Sequence, residues 1–149
     1  MDFYSFLVGI HVTSAIIAIG PLFIVHHLYR KPKDKQSFLI AHVTAGKISR
    51  GIDAGFGLQL VTGLLMGVLH QALFQMLWYN LSISLFFFTG LYFNFVVKRK
   101  VEALRKVVDS YEGTEIPSAY FSSLKKVAAY EWGGKGLVCA IILLMVFKP

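Results

Sequence analysis

AGFGLQLVTGLLMGVLHQALFQMLWYNLSISLFFFTGLYFNFVV, residues 54–97, runs for 44 positions without one Lys, Arg, Asp or Glu. A helix rises about 1.5 Å per residue and a bilayer hydrocarbon core is roughly 30 Å thick, so about 20 apolar residues cross it once. The stretch is about twice that length and reads as a hairpin of two spans. Trp78, Tyr79 and Asn80 supply interfacial aromatics and polar turn groups, which places the break at 75–80 and the spans at 54–74 and 81–97.

Both flanks of this hairpin are basic. Thirteen of the fifteen Lys and Arg residues fall in 30–50 or 98–126, so the formal charge of +7 reports topology rather than a nucleic-acid stripe. No nucleic-acid partner is expected. The first block opens with RKPKDK and is too short and interrupted to span, which favours an interfacial helix. In the second, Val97, Val101, Leu104, Val108 and Tyr111 recur at helical spacing among charges, extending the third span as an amphipathic helix that stops at Gly113.

Two further apolar segments complete the chain. Residues 3–28 span with length to spare for tilt and carry His11 and Pro21 inside; the apolar stretch is too long for a signal peptide and lacks its cationic start. A last helix begins near Pro117 and Ser118. Only 136–147 is purely apolar, so the fourth span, 127–147, takes Glu131 and Lys135 into the membrane. Hydrophobic residues at 56% and charged ones at 15% fit lipid as the solvent. The expected fold is all-α: one domain, a four-transmembrane-helix antiparallel bundle with amphipathic cytoplasmic helical extensions and both termini outside.

An ionisable group inside a span is costly and faces the bundle interior, so each is a candidate site. His11 lies roughly 12 Å deep on a face shared with Tyr4, Leu7, Ser14 and Ala18. On the second span Gln59, Thr62, Gly63, Met66 and His70 form another polar face, which also holds the small pair Gly63 and Gly67, suited to close helix approach within the bundle or in a homodimer. Haem iron takes axial ligands from opposite sides, and His11 with His70 or Met66 would supply them, with Gln59 and Thr62 lining the site. The simpler reading of His11 is a hydrogen bond to Ser14, Thr62 or Gln59 that holds two helices together.

Elsewhere, His26, His27, His42 and Asp53 gather near the basic boundary, where a metal or a proton path is conceivable but no ligand spacing is matched. Glu131 and Lys135 form an i, i+4 pair in the favourable order, a structural ion pair that lowers the cost of burying both. Ser82, Ser84, Thr89 and Asn94 are ordinary interhelical hydrogen-bond formers. The lone Cys139 excludes an internal disulfide, and no GxSxG, HExxH, P-loop or GxGxxG motif supports soluble-enzyme chemistry.

The first-span IHVTSAIIAIGP, LQLVTGLL in the second, WYNLSISLFFFTGLYF in the third and the terminal LLMVFKP resemble a family of small predicted bacterial integral membrane proteins, domain of unknown function 2269. The first-span His is also similar to that of J-type protoporphyrinogen oxidase and copper-resistance protein D. The oxidase resemblance implies b-type haem with His11 as a ligand, and leaves the second ligand open. Together these imply a bacterial cytoplasmic membrane protein that binds haem b for electron transfer or haem handling, with a quinone or redox protein as partner. A membrane scaffold or small transporter subunit is the alternative, and copper handling the third.

Overall fold

The computed structural model describes residues 2–30 and 32–149. Helix α1 spans Phe3–Leu28, and the Asp2 carboxylate caps it by accepting from the Ser5 N–H at 2.9 Å. Helix α2 runs unbroken through Lys35–Leu69. The separate interfacial helix expected in 30–50 is therefore the first part of α2. The physical reason is a single continuous face: Phe38, Ala45, Ile52 and Gln59 recur every seven residues and all are buried. Gly46 and Gly51 cost a helix only about 1 kcal/mol each, too little to break it.

Asp34 starts α2 with a capping box: its side chain accepts from the Ser37 N–H at 2.7 Å, and the Ser37 hydroxyl accepts from the Asp34 N–H at 3.1 Å. That bond to the Ser37 amide holds the Asp34 carboxyl below its ordinary range.

The hairpin break comes earlier than the aromatic cue indicates. Helix α2 ends at Leu69, a 3-10 turn occupies Gln71–Gln75, and α3 begins at Leu77 and runs to Tyr92. Trp78, Tyr79 and Asn80 thus lie in the first turn of α3. Asn80 still serves the turn, because its amide reaches back to donate to the carbonyls of Phe74 at 2.7 Å and Met76 at 3.2 Å.

A π turn at Phe93–Val97 leads into α4, Lys98–Asp109, whose buried Leu104 and Val108 give it the expected amphipathic face. The helix stops at Asp109, short of Tyr111 and Gly113. Helix α5 spans Ser118–Phe147 with Pro117 as its cap residue.

Among the described residues four helical segments are long and apolar enough to cross a membrane: α1, α2, the continuous Leu77–Asp109 and α5. Neighbouring contacts close them into a ring. His11 meets Thr62 and Ala18 meets Gly55 between α1 and α2. Phe56 packs on Phe86, and the Tyr79 hydroxyl donates to the Gly63 carbonyl at 2.8 Å, between α2 and α3. The Tyr92 hydroxyl donates to the Tyr130 carbonyl at 3.0 Å and Lys148 lies over Trp78 between α3 and α5. Phe23 meets Trp132, and the Tyr120 hydroxyl donates to the Tyr29 carbonyl at 2.6 Å, between α5 and α1. In each pair the numbers rise on one helix and fall on the other, so neighbours are antiparallel.

The bundle buries polar side chains among apolar ones and exposes large apolar side chains along its outer surface. Ile16 and Phe88 are 69% and 57% exposed, while Ser82 and Lys135 are 1% and 3% exposed. So many exposed large hydrophobics fit hydrocarbon around the spans. The conventional apolar core, centred on Phe38, Leu104, Val108 and Tyr120, sits at the basic end. There the connection before α2 is tied to the one before α5: the Lys35 N–H donates to the Thr114 carbonyl at 3.0 Å, and Lys35 Nζ donates to the Tyr111 carbonyl at 2.9 Å.

Candidate functional site

Two polar groups occupy the interior, one toward each end. At the end holding both termini, His11 Nδ1 lies 2.9 Å from Thr62 Oγ1. The Thr62 hydroxyl gives its one proton back to its own helix, to the carbonyls of Leu58 at 2.8 Å and Gln59 at 3.1 Å. In that arrangement the hydroxyl accepts from the imidazole, in the tautomer that carries its proton on Nδ1 and its lone pair on Nε2.

The His11 ring lies flat enough on α2 that a Cβ added at Gly63 would stand 3.4 Å from its Cε1. Ser14 is buried and donates to the His11 carbonyl at 2.8 Å. Gln59 is buried as well, and its Oε1 has no hydrogen-bond partner in the protein.

The other residues named from the second-span pattern are dispersed along this helix. Met66 is half-buried; His70 has left the helix as its C-terminal cap, is exposed, and packs edge-on against Tyr4 with 4.4 Å between ring centroids. A porphyrin between His11 and Met66 or His70 would have to part α1 from α2, since His11 already rests on α2 at Gly63 and the backbones touch one level deeper. At that level a Cβ on Gly55 would come within 2.8 Å of Ala18 Cβ. Among the described residues no group of three or more His, Cys, Asp and Glu side chains could hold a metal ion.

The second group lies toward the basic end, between α1 and α5. His26 Nδ1 approaches Glu131 Oε2 to 2.5 Å, and both side chains are buried. The approach lacks the angle of a regular hydrogen bond, and neither atom has another partner among the described residues. Lys135, one turn further along α5, is also buried; its ammonium stands over the rings of Trp132 at 4.9 Å and Phe23 at 5.7 Å. It makes no ion pair among the described residues. Glu131 and Lys135 share a face as their spacing indicates, but the contact of the carboxylate is to His26 across the helices.

Tyr29 and His42 continue this group toward the basic surface. Tyr29 is buried at the end of α1, and burial, with the Glu131 and Tyr120 groups adding to it, pushes its phenol far above the ordinary range, so it stays protonated. Its ring stands 5.4 Å from that of His42, whose Nδ1 is buried and unpartnered. His27 and Asp53 are exposed and take no part.

The spacing of these residues does not by itself join His26 to Glu131. One signal was available: Ser14, Ala18, Leu22 and His26 follow at four-residue steps, so the interior face that begins at His11 leads to His26. On α5 the buried Val127, Glu131, Lys135 and Val138 mark the facing stripe. Both faces carry their titratable groups at the same depth.

The interior of the bundle, then, holds a charged cluster and a polar helix contact within a lipid-facing shell. No curated protein and no solved structure matches the chain. Over residues 5–149 it matches the family described as Predicted integral membrane protein (DUF2269), and it belongs to that family.

Proposed function

We propose that this integral membrane protein is a small transporter, or the subunit of one, that passes protons through His26 and Glu131. The observation that carries the reading is the 2.5 Å approach of two titratable side chains inside the bundle. Imidazolium with carboxylate and imidazole with carboxylic acid are both neutral as a pair, so one proton can move between Nδ1 and Oε2 without changing the buried charge. Lys135 is buried one turn further along the same helix as Glu131, its ammonium over the Trp132 and Phe23 rings.

His42 and Tyr29 offer hydrogen-bonding groups toward the basic end, and Gln59, Ser14 and Thr62 toward the other. By the bias of Lys and Arg, the basic end is the cytoplasmic one in a bacterial inner membrane, with both termini outside.

The test is proton flux into proteoliposomes under an imposed potassium diffusion potential, read with an internal pH dye. Flux in the wild type, lost in Glu131→Gln and kept in the exposed Glu102→Gln, is the expected result. Flux no greater than in protein-free liposomes would remove the reading.

A second reading has its own observation. The bond to Thr62 leaves His11 Nε2 with a free lone pair, the arrangement that a metal-binding imidazole uses when its other nitrogen is held by a partner. On this reading His11 would hold b-type haem, which would supply one-electron transfer between a quinone and a redox protein. Protein purified from haem-replete cells would show a Soret band that His11→Ala shifts or abolishes; a colourless preparation would end it.

A further inference from the structure

Between the buried His26–Glu131 pair and the basic end stands the apolar core centred on Phe38, Leu104, Val108 and Tyr120. Hydrocarbon side chains conduct no protons, so a pathway through this core needs titratable groups set into it. Among the buried members of the core only Tyr29 and Tyr120 carry an exchangeable side-chain proton. Tyr120 commits its hydroxyl to the Tyr29 carbonyl at 2.6 Å. Tyr29 stays a neutral phenol, able to relay a proton but not to collect one from water.

His42 of α2 is packed against this core. Its ring stands 5.4 Å from that of Tyr29 and 5.3 Å from that of Phe38, and Phe38 meets Tyr120 edge-on at 5.4 Å. The residue is half-buried, while its Nδ1 is closed to solvent and has no hydrogen-bond partner among the described residues. A side chain so placed lies at the boundary between water and core, with one titratable nitrogen on the inner side.

Its electrostatic surroundings leave it free to load and unload. Arg105 and Asp109 of α4 are the charged side chains whose field reaches it, and they hold each other at 3.3 Å. From α1 the Tyr29 phenol faces it, and from α5 Tyr120 stands behind Phe38. Among the described residues no carboxylate pairs with the imidazole, and imidazole is the side chain whose charge ordinarily changes near neutral pH.

We infer that His42 takes protons up from the water at the basic end and delivers them toward the His26–Glu131 pair by way of the Tyr29 hydroxyl. This role, which rests on the proton-transport reading, gives that pathway its point of entry. A proton gained at Nε2 makes the ring an imidazolium. The Nδ1 proton then leaves toward the Tyr29 oxygen as the Tyr29 proton passes toward Glu131, so ring and phenol both end neutral, and a turn of the ring resets the tautomer. Glu131 is near enough to act on the Tyr29 phenol.

The experiment is the proteoliposome flux assay on the full-length protein, with and without imidazole on both sides. His42→Gln should lower flux roughly a hundredfold, the lower end of what a positioned proton-transferring side chain contributes. Imidazole should restore flux in His42→Gln beyond its effect on protein-free liposomes, because the small base replaces the missing ring, and should not restore Glu131→Gln. Tyr29→Phe keeps the packed ring without its hydroxyl and should lose flux in either condition. His27→Gln, at an exposed position of α1, should keep it. Full flux in His42→Gln, or a loss that imidazole does not relieve, would overturn the entry role while leaving the pair in place. Full flux in Tyr29→Phe would overturn the relay. A wild type without flux would remove the proton-transport reading itself, and this role with it.

Discussion

His26 on α1 and Glu131 on α5 meet with 2.5 Å between Nδ1 and Oε2 inside a bundle whose outer surface is Ile, Leu and Phe. Among the described residues neither atom has another partner, so each depends on the other for the cost of leaving water. Lys135 shares the enclosure, which makes the group a three-membered cluster rather than the two-residue pair on one helix that its spacing indicates.

Breaking this cluster from one side should be expensive. Glu131→Ala leaves His26 and Lys135 buried without a carboxylate, and a loss of about 3–5 kcal/mol is expected from buried pairs of this kind. Replacing all three by Leu or Met removes the buried polar groups together and should cost far less. Unfolding midpoints in mild detergent distinguish the two, and a single variant as stable as the triple one would show that the carboxylate is not paired in the folded state.

Helices α1 and α2 touch closest at Gly55, where an added Cβ would stand 2.8 Å from Ala18 Cβ and 3.3 Å from the Ser14 carbonyl oxygen. Gly55→Leu forces the backbones apart and should destabilise by about 1–3 kcal/mol. Gly57 has nothing within 4 Å of such a Cβ, and the same substitution there should be near neutral. Equal thermal midpoints for the two variants would contradict the close approach.

The Thr62 hydroxyl is the only side-chain partner of His11 among the described residues. Thr62→Val should cost about 0.6 kcal/mol, the average for a hydrogen bond between membrane helices. It also frees Nδ1, so the His11 ring should lose its fixed tautomer in nitrogen NMR spectra. An unchanged His11 spectrum would mean that the bond is not formed in the membrane.

Orientation is open to labelling in a Cys139→Ala background. Ser110→Cys, just past α4, should react with an impermeant maleimide only from the cytoplasmic side, and Gln75→Cys, in the 3-10 turn, only from outside. The opposite pattern would invert the topology that the basic blocks indicate.

Which parts of this structure are legible in the sequence follows from what each depends on. The 44-residue uncharged run specifies two spans because desolvation is a property of the chain itself. The position of the break within it is less legible: Asn80 marks a turn, yet it acts backward on the carbonyls of Phe74 and Met76 from within α3. The continuity of α2 from Lys35 was written in the seven-residue recurrence of Phe38, Ala45, Ile52 and Gln59, which the dense charges of 30–50 obscure.

At the sites, the contact of His11 with Thr62 was among the pairings that the polar faces allow. The meeting of His26 with Glu131 was not, because it depends on the rotation of α1 against α5, a tertiary quantity that single-helix periodicity only bounds.

The most direct test of the central claim is nitrogen NMR of His26 in protein reconstituted in bilayers. The expected Nδ1 resonance is that of a proton shared with Glu131, and Glu131→Gln should remove the sharing while leaving His42 unchanged. A His26 resonance that is identical in the wild type and in Glu131→Gln would contradict it.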